Sequence, residues 1–220
     1  MYFRKFPHPA NFDYIERRAA DGTAYASKTK LRTQADRYAG NIFRLRVHGP
    51  WPNNPSIAGI TPPVRTAWER GAINAQLDKT FALRLTDADG KNLLSAPTGR
   101  AFGVSGKGSL FLFHMREDDR FYGMGEKLLG LELSGKQSKF WNTDVFADFH
   151  WQEISNDRPD PYYASFPYLI VKRENRWIGL LLDNPHAAFI STGAHIKIGG
   201  GQMDLGAAPE RVIALGSRKW

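Results

Sequence analysis

The 220-residue sequence contains no cysteine. A disulfide framework, a cysteine-liganded zinc site and a thiol nucleophile are therefore excluded. No run of 18 apolar residues occurs, so no segment reads as a transmembrane helix. The opening MYFRKFPHPANFDY lacks the apolar core of a secretory leader. The expectation is a cytoplasmic protein, or one whose leader has been removed. Helical periodicity is also scarce. EKLLGLEL, 126–133, has leucines at helical spacings, but Gly130 interrupts it and Gly135 follows; it supports at most a single turn.

What is present is period-two alternation. In IFRLRVH, 42–48, Phe43, Leu45 and Val47 alternate with Arg44, Arg46 and His48. TFALRLTD, 80–87, repeats the pattern through Phe81, Leu83 and Leu85, and DADGK, 87–91, supplies a turn. SLFLFHM, 109–115, is a further strand. YLIVKRE and NRWIGLLLDN form a predicted hairpin around Glu174–Arg176 with both arms largely buried. AAFIST, HIKIG and RVIALG are short strands near the end. Five prolines in GPWPNNPSIAGITPP, 49–63, make that stretch a loop. The predicted fold is all-β: an antiparallel β-sandwich with long loop insertions, residues 1–220 forming one domain.

Charge excludes little. The surplus is +8, with 30 Lys and Arg against 22 Asp and Glu. The basic groups RKF, ERR, KTK and KRENR are scattered among acids and turns, which reads as solvated surface and not as a nucleic-acid footprint. GVSGKGS, 103–109, departs from the phosphate-loop spacing and leads into a strand instead of a helix, so it reads as a β-turn. The six histidines make no HExxH pair, and nothing in their spacing argues for a metal; His150, beside Trp151, is a weak site candidate.

The densest chemistry lies in WNTDVFADFHWQEISNDRPDP, 141–161. Asp144, Asp148, Glu153, Asp157 and Asp160 are interleaved with Trp141, Phe146, Phe149 and Trp151. Aromatic faces pack on the C–H faces of sugars, and carboxylates accept hydroxyl hydrogen bonds. A glycosidase needs two carboxyl groups flanking one bond, a geometry that spacing within a loop does not establish. The same aromatics could simply anchor a polar loop to a core.

Four ordered motifs sharpen this reading: FYGMGEK at 121–127, WNTD at 141–144, DPYYASFPYLI at 160–170 and GLLLDNP at 179–185. In that order they resemble the N-terminal domain of glycoside hydrolase family 31, the α-glucosidase and α-xylosidase family. The resemblance implies a galactose-mutarotase-like supersandwich preceding a catalytic (β/α)8 barrel that carries both catalytic aspartates. Such a barrel takes roughly 250 residues, and only 35 follow Pro185. The expectation is therefore a chain without its barrel, with no catalytic residue and no hydrolase activity alone.

By the same resemblance, Asp144 is the aspartate that the sandwich lends to the sugar pocket. It accepts hydrogen bonds from substrate hydroxyls, with Trp141 beside it and Asp148 as the nearby rival. Glu126 is expected to tie down backbone amides or Lys127, Asp160–Pro161 to begin a strand with Tyr162 and Phe166 packed beside it, and Asn184 to satisfy a turn. No cofactor or metal is implied. The implied partners are an α-linked sugar or oligosaccharide and the C-terminal barrel. Without the barrel, apolar sandwich surface is open to self-association. Three alternatives remain: a standalone carbohydrate-binding sandwich, a mutarotase-like sugar enzyme and a structural or interaction domain.

Overall fold

The computed structural model describes residues 9–37, 41–49, 73–106, 108–127, 129–141, 164–193 and 211–218. Among the described residues, fifteen strands are arranged in three antiparallel sheets. The largest has the order β11 (Gln137–Phe140), β14 (Ala187–Thr192), β15 (Val212–Arg218), β9 (Gly108–His114), β8 (Phe102–Ser105), β1 (Asp13–Arg18), β2 (Thr23–Ala26), β3 (Thr29–Arg37) and β4 (Phe43–His48). A three-stranded sheet follows the order β10 (Arg120–Gly125), β12 (Ser165–Arg173), β13 (Arg176–Leu181). Another has the order β5 (Asn74–Leu77), β6 (Leu83–Thr86), β7 (Asn92–Ser95). Among the described residues the only helical piece is the 3-10 turn Pro9–Asn11, and no helix is long and apolar enough to cross a membrane.

The main core joins all three sheets. Leu85 and Leu94 come from one small sheet, Phe121, Leu169 and Val171 from the other, and Ile190, Ile213 and Leu215 from the large one. This is the predicted sandwich: each sheet buries one apolar face against another. Alternation along β9 gives the large sheet a second buried side. Phe113 joins the main core, whereas Leu110 and Leu112 join Phe12, Phe189, Val212 and Ala214.

Local chemistry explains the turns. Asp87 Oδ1 accepts the amides of Asp89 and Lys91, at 3.0 and 2.8 Å, and Gly90 takes φ +78° as the Asp-Gly turn requires. GVSGKGS is the connection between β8 and β9, with Ser105 paired to Gly108. Asn184 Oδ1 accepts the His186 amide at 2.8 Å, as its turn role predicts.

Three expectations are corrected. Phe81 is buried but precedes β6: it takes φ +64° in a turn built on Asp78, whose Oδ1 accepts the Thr80 and Ala82 amides at 2.7 and 2.8 Å. It packs with Ile15, Leu31 and Phe102, away from Leu83 and Leu85. The 168–184 hairpin forms, but β13 is an edge strand with its outer side chains exposed. Unbroken hydrophobicity there marks an uncovered sheet face, not burial on both faces. Phe166 lies on that face, 61% exposed, instead of packing beside the strand. The Pro-rich stretch from Pro50, HIKIG, Asp160–Pro161 and Tyr162 fall outside the described residues.

Candidate functional site

The motif FYGMGEK begins as β10 and ends in a distorted corner. Gly123, Met124 and Gly125 take φ of +100°, +68° and +76° in succession. The register against β12 shifts there: Gly123 faces Leu169, but Gly125 faces Ser165. The glycines have a steric reason. A Cβ on Gly123 would lie 2.7 Å from the Tyr168 carbonyl oxygen, and one on Gly125 would lie 2.9 Å from the Phe166 ring and 3.0 Å from the Ala164 oxygen. Met124 is the exception, a non-glycine residue in left-handed backbone. Its side chain is fully buried in the main core, which holds it there.

This corner delivers Glu126 to the start of β12. Its amide donates to the Ala164 carbonyl at 3.3 Å, and its Oε2 accepts the Ala164 amide at 3.1 Å. The amide-binding role expected of Glu126 is thus met, with Ala164 and not Lys127 as its partner. Lys127 turns the other way. Its Nζ donates to the Lys139 carbonyl and lies 4.8 Å from the centroid of the Phe140 ring. Sequence reasoning gave Lys127 no role of its own; the signal was its place beside Glu126 in the motif.

The following connection is also tied down. Glu132 Oε1 accepts the Phe121 amide at 2.9 Å and the Ser134 hydroxyl at 2.6 Å, and both its oxygens accept the Ser134 amide at 3.1 Å. Burial pushes the Glu132 pKa up. The Ser134 hydroxyl and the Phe121 and Ser134 amides together outweigh it and hold the carboxyl below its ordinary 4.5. Thr192 of β14 continues the fastening: its carbonyl accepts the Gly135 amide at 2.9 Å, and its hydroxyl accepts the Lys136 amide at 3.1 Å.

Trp141 follows β11 directly. Its neighbour Phe140 is buried at 4% exposure, whereas Trp141 is 46% exposed. Alternation of side chains along the strand produces the contrast: one aromatic anchors the strand end and the next faces outward. Asp144, Asp148 and His150 lie outside the described residues. Residues 142–163, which carry them, lie in the sequence between β11 of the large sheet and β12 of a small one.

An ion pair ties GLLLDNP to the far end of the large sheet. Arg44 Nη2 of β4 lies 2.8 Å from Asp183 Oδ2, and both side chains are mostly buried. Among the described residues no group of three His, Asp or Glu is placed to hold a metal ion.

A family model described as the glycosyl hydrolase 31 N-terminal galactose mutarotase-like domain matches residues 34–190. The "Alpha-glucosidase 2" of Bacillus thermoamyloliquefaciens is 35% identical over 109 residues, covering 49% of this chain and 13% of that protein. Among solved structures, a GH31 dextranase from Flavobacterium johnsoniae complexed with glucose superposes with a TM-score of 0.65 at 18% identity, over 94% of this chain and 25% of that one. The cycloalternan-forming enzyme of Listeria monocytogenes, in complex with a pentasaccharide substrate, gives 0.62 at 14% identity, over 95% and 20%. These two structures establish likeness of fold. The chain thus spans a quarter or less of each of these three proteins.

Proposed function

This chain belongs to the family of glycosyl hydrolase 31 N-terminal galactose mutarotase-like domains, and from that premise we propose that it is the noncatalytic N-terminal module of an α-glucosidase-like glycosidase. In this reading a separate catalytic barrel supplies the nucleophile and the acid/base, and the sandwich lends one wall of the sugar pocket. Asp144 accepts hydrogen bonds from substrate hydroxyls, Trp141 offers its ring face to the sugar, and Asp148 is the alternative acceptor. A lone carboxylate beside an aromatic ring can bind and orient a pyranose. It cannot by itself carry out a double displacement, which needs two carboxyl groups across one bond.

The observation that carries the reading is Trp141. It is a large aromatic held outward at the end of a well-anchored strand, at the entrance to the segment that contains Asp144. The identity shared with the Bacillus α-glucosidase supports α-linked glucosides as the substrate class. The exposed side chains Phe166, Tyr168, Trp177 and Leu181 on β12 and β13 are apolar surface of the kind a barrel would cover, and they would favour self-association of the separated module.

The test starts from the coding frame on both sides of these residues. If it encodes a (β/α)8 barrel, the whole product is assayed on an α-glucoside. Asp144→Ala should lower kcat/KM by about ten- to a hundredfold, the value of a hydrogen bond to a charged group. Unchanged kcat/KM would remove Asp144 from the pocket. Trp141's exposure also favours a second reading, direct sugar binding by the isolated sandwich. Calorimetric titration of the 220-residue chain with maltose or isomaltotriose separates the two: binding lost on Trp141→Ala supports the standalone module, and absence of heat supports the composite pocket.

A further inference from the structure

We infer that Glu126 and Lys127 form a two-sided positioning clip that fixes the two ends of the segment running from Trp141 to Ala164. The inference deepens the pocket reading above and rests on it only for the consequence in catalysis. The segment begins on one sheet and ends on another: Phe140 closes β11 at the edge of the large sheet, and Ala164 precedes β12 in a small one. No backbone ladder joins β11 to β12. Two adjacent side chains span the gap. The Glu126 carboxylate accepts the Ala164 amide while the Glu126 backbone amide donates to the Ala164 carbonyl, and Lys127 holds the Lys139 carbonyl while its charge rests over the Phe140 ring.

The signs of the charges suit these partners. The start of β12 presents an N–H, which a carboxylate accepts; the end of β11 presents a carbonyl, to which an ammonium donates. The order Glu-Lys therefore matters, not merely the presence of two charges. The Gly123-Met124-Gly125 corner supplies the placement: across its three positive φ angles the register against β12 shifts, so that Gly125 faces Ser165 and Glu126 comes level with Ala164. Left-handed backbone at a buried methionine persists only where surrounding contacts enforce it. Here it aims two side chains in opposite senses within one dipeptide.

The clip is tested by a charge swap, Glu126→Lys with Lys127→Glu, which preserves net charge and composition. It would set an ammonium against an N–H and a carboxylate against a carbonyl. In the 220-residue chain, the Ala164 amide should exchange about tenfold faster or more, and the indole N–H resonance of Trp141, identified by its absence in Trp141→Phe, should shift. Exchange in Leu169–Val171 should stay unchanged. Glu126→Gln, which keeps an acceptor oxygen, should restore most of the Ala164 protection. If the swap does not fold, Glu126→Ala and Lys127→Met carry the same two readouts separately. Unchanged Ala164 exchange and an unmoved indole signal would overturn the clip, as would equal acceleration throughout β12.

Catalysis separates this inference from the pocket reading. In a whole product containing a barrel, the swap should raise KM with little change in kcat, in the same direction as Asp144→Ala. If Asp144→Ala raises KM and the swap moves nothing, the clip fails and the pocket stands. If the swap moves both structural signals but neither substitution changes KM, the clip stands and the pocket reading fails.

Discussion

Arg173 and Asp119 form a doubly bonded ion pair inside the protein: Nε lies 2.7 Å from Oδ1 and Nη2 lies 2.6 Å from Oδ2. The side chains are 3% and 0% exposed. Two further donors of Arg173 are used as well. Nη1 reaches the Leu93 carbonyl at 2.7 Å and Nη2 the His114 carbonyl at 3.2 Å, while Asp119 Oδ2 accepts the Arg116 amide at 2.8 Å. One guanidinium thus joins β12 to β7 and β9. A buried pair of this kind is not strong evidence of net stabilisation, but breaking it strands a charge away from water. Asp119→Ala should cost about 3–5 kcal/mol, read as a lower urea midpoint. Arg173→Lys should also destabilise, because an ammonium cannot reproduce the planar fork.

Gly123 should resist substitution for two independent reasons. Its φ is +100°, and an added Cβ would sit 2.7 Å from the Tyr168 carbonyl oxygen. The near atom is backbone and cannot swing aside. Gly123→Ala should lose about 1–3 kcal/mol in denaturant titration. Gly90→Ala, also at positive φ but with nothing within 4 Å of the added Cβ, should cost less.

Tyr14 predicts an alkaline limb. Burial pushes its phenol from 10.0 up to about 12, against the opposing charge of Arg100. The hydroxyl donates to the Pro9 carbonyl at 2.9 Å. Because the folded value is the higher one, the contribution of this group is complete below pH 10 and is lost as pH rises from 10 through about 12. Tyr14→Phe should flatten that part of the stability curve, and phenolate absorbance at high pH should lose its late-titrating component.

Glu132 predicts the acid counterpart. Its folded pKa lies below 4.5. Its stabilising contribution is therefore present above that ordinary value and is lost as pH falls toward and through the lowered one. Glu132→Gln should be less stable at pH 7 and should show a shallower decline on acidification. Thermal melts at a series of pH values check both.

How far the sequence foretold this molecule depends on the physics at each place. β4 follows from side-chain alternation and β9 and β15 from short apolar runs, both local properties. Asp78 and Asp87 set turns through bonds within four residues. Phe81 misleads because alternation continues through a residue that the Asp78 turn has already taken out of the strand. The hydrophobic β13 misleads because composition does not say whether a sheet face is covered. Arg173 and Asp119 lie far apart in the chain, as do Arg44 and Asp183, so their pairing is invisible until the sheets close. Glu126 was legible as an amide binder, but its partner was not: Ala164 comes within reach only through the register shift at Gly125. Trp141 is exposed, but its role in a sugar pocket, like those of Asp144 and Asp148, rests on the family resemblance.

The most direct test of the account is the release of glucose from maltose and isomaltotriose by the purified 220-residue chain. The account predicts no release above the buffer rate, because the reacting carboxyl groups belong to a separate barrel. Turnover that copurifies with the chain and disappears on Asp144→Ala would contradict it, making this domain an enzyme in its own right.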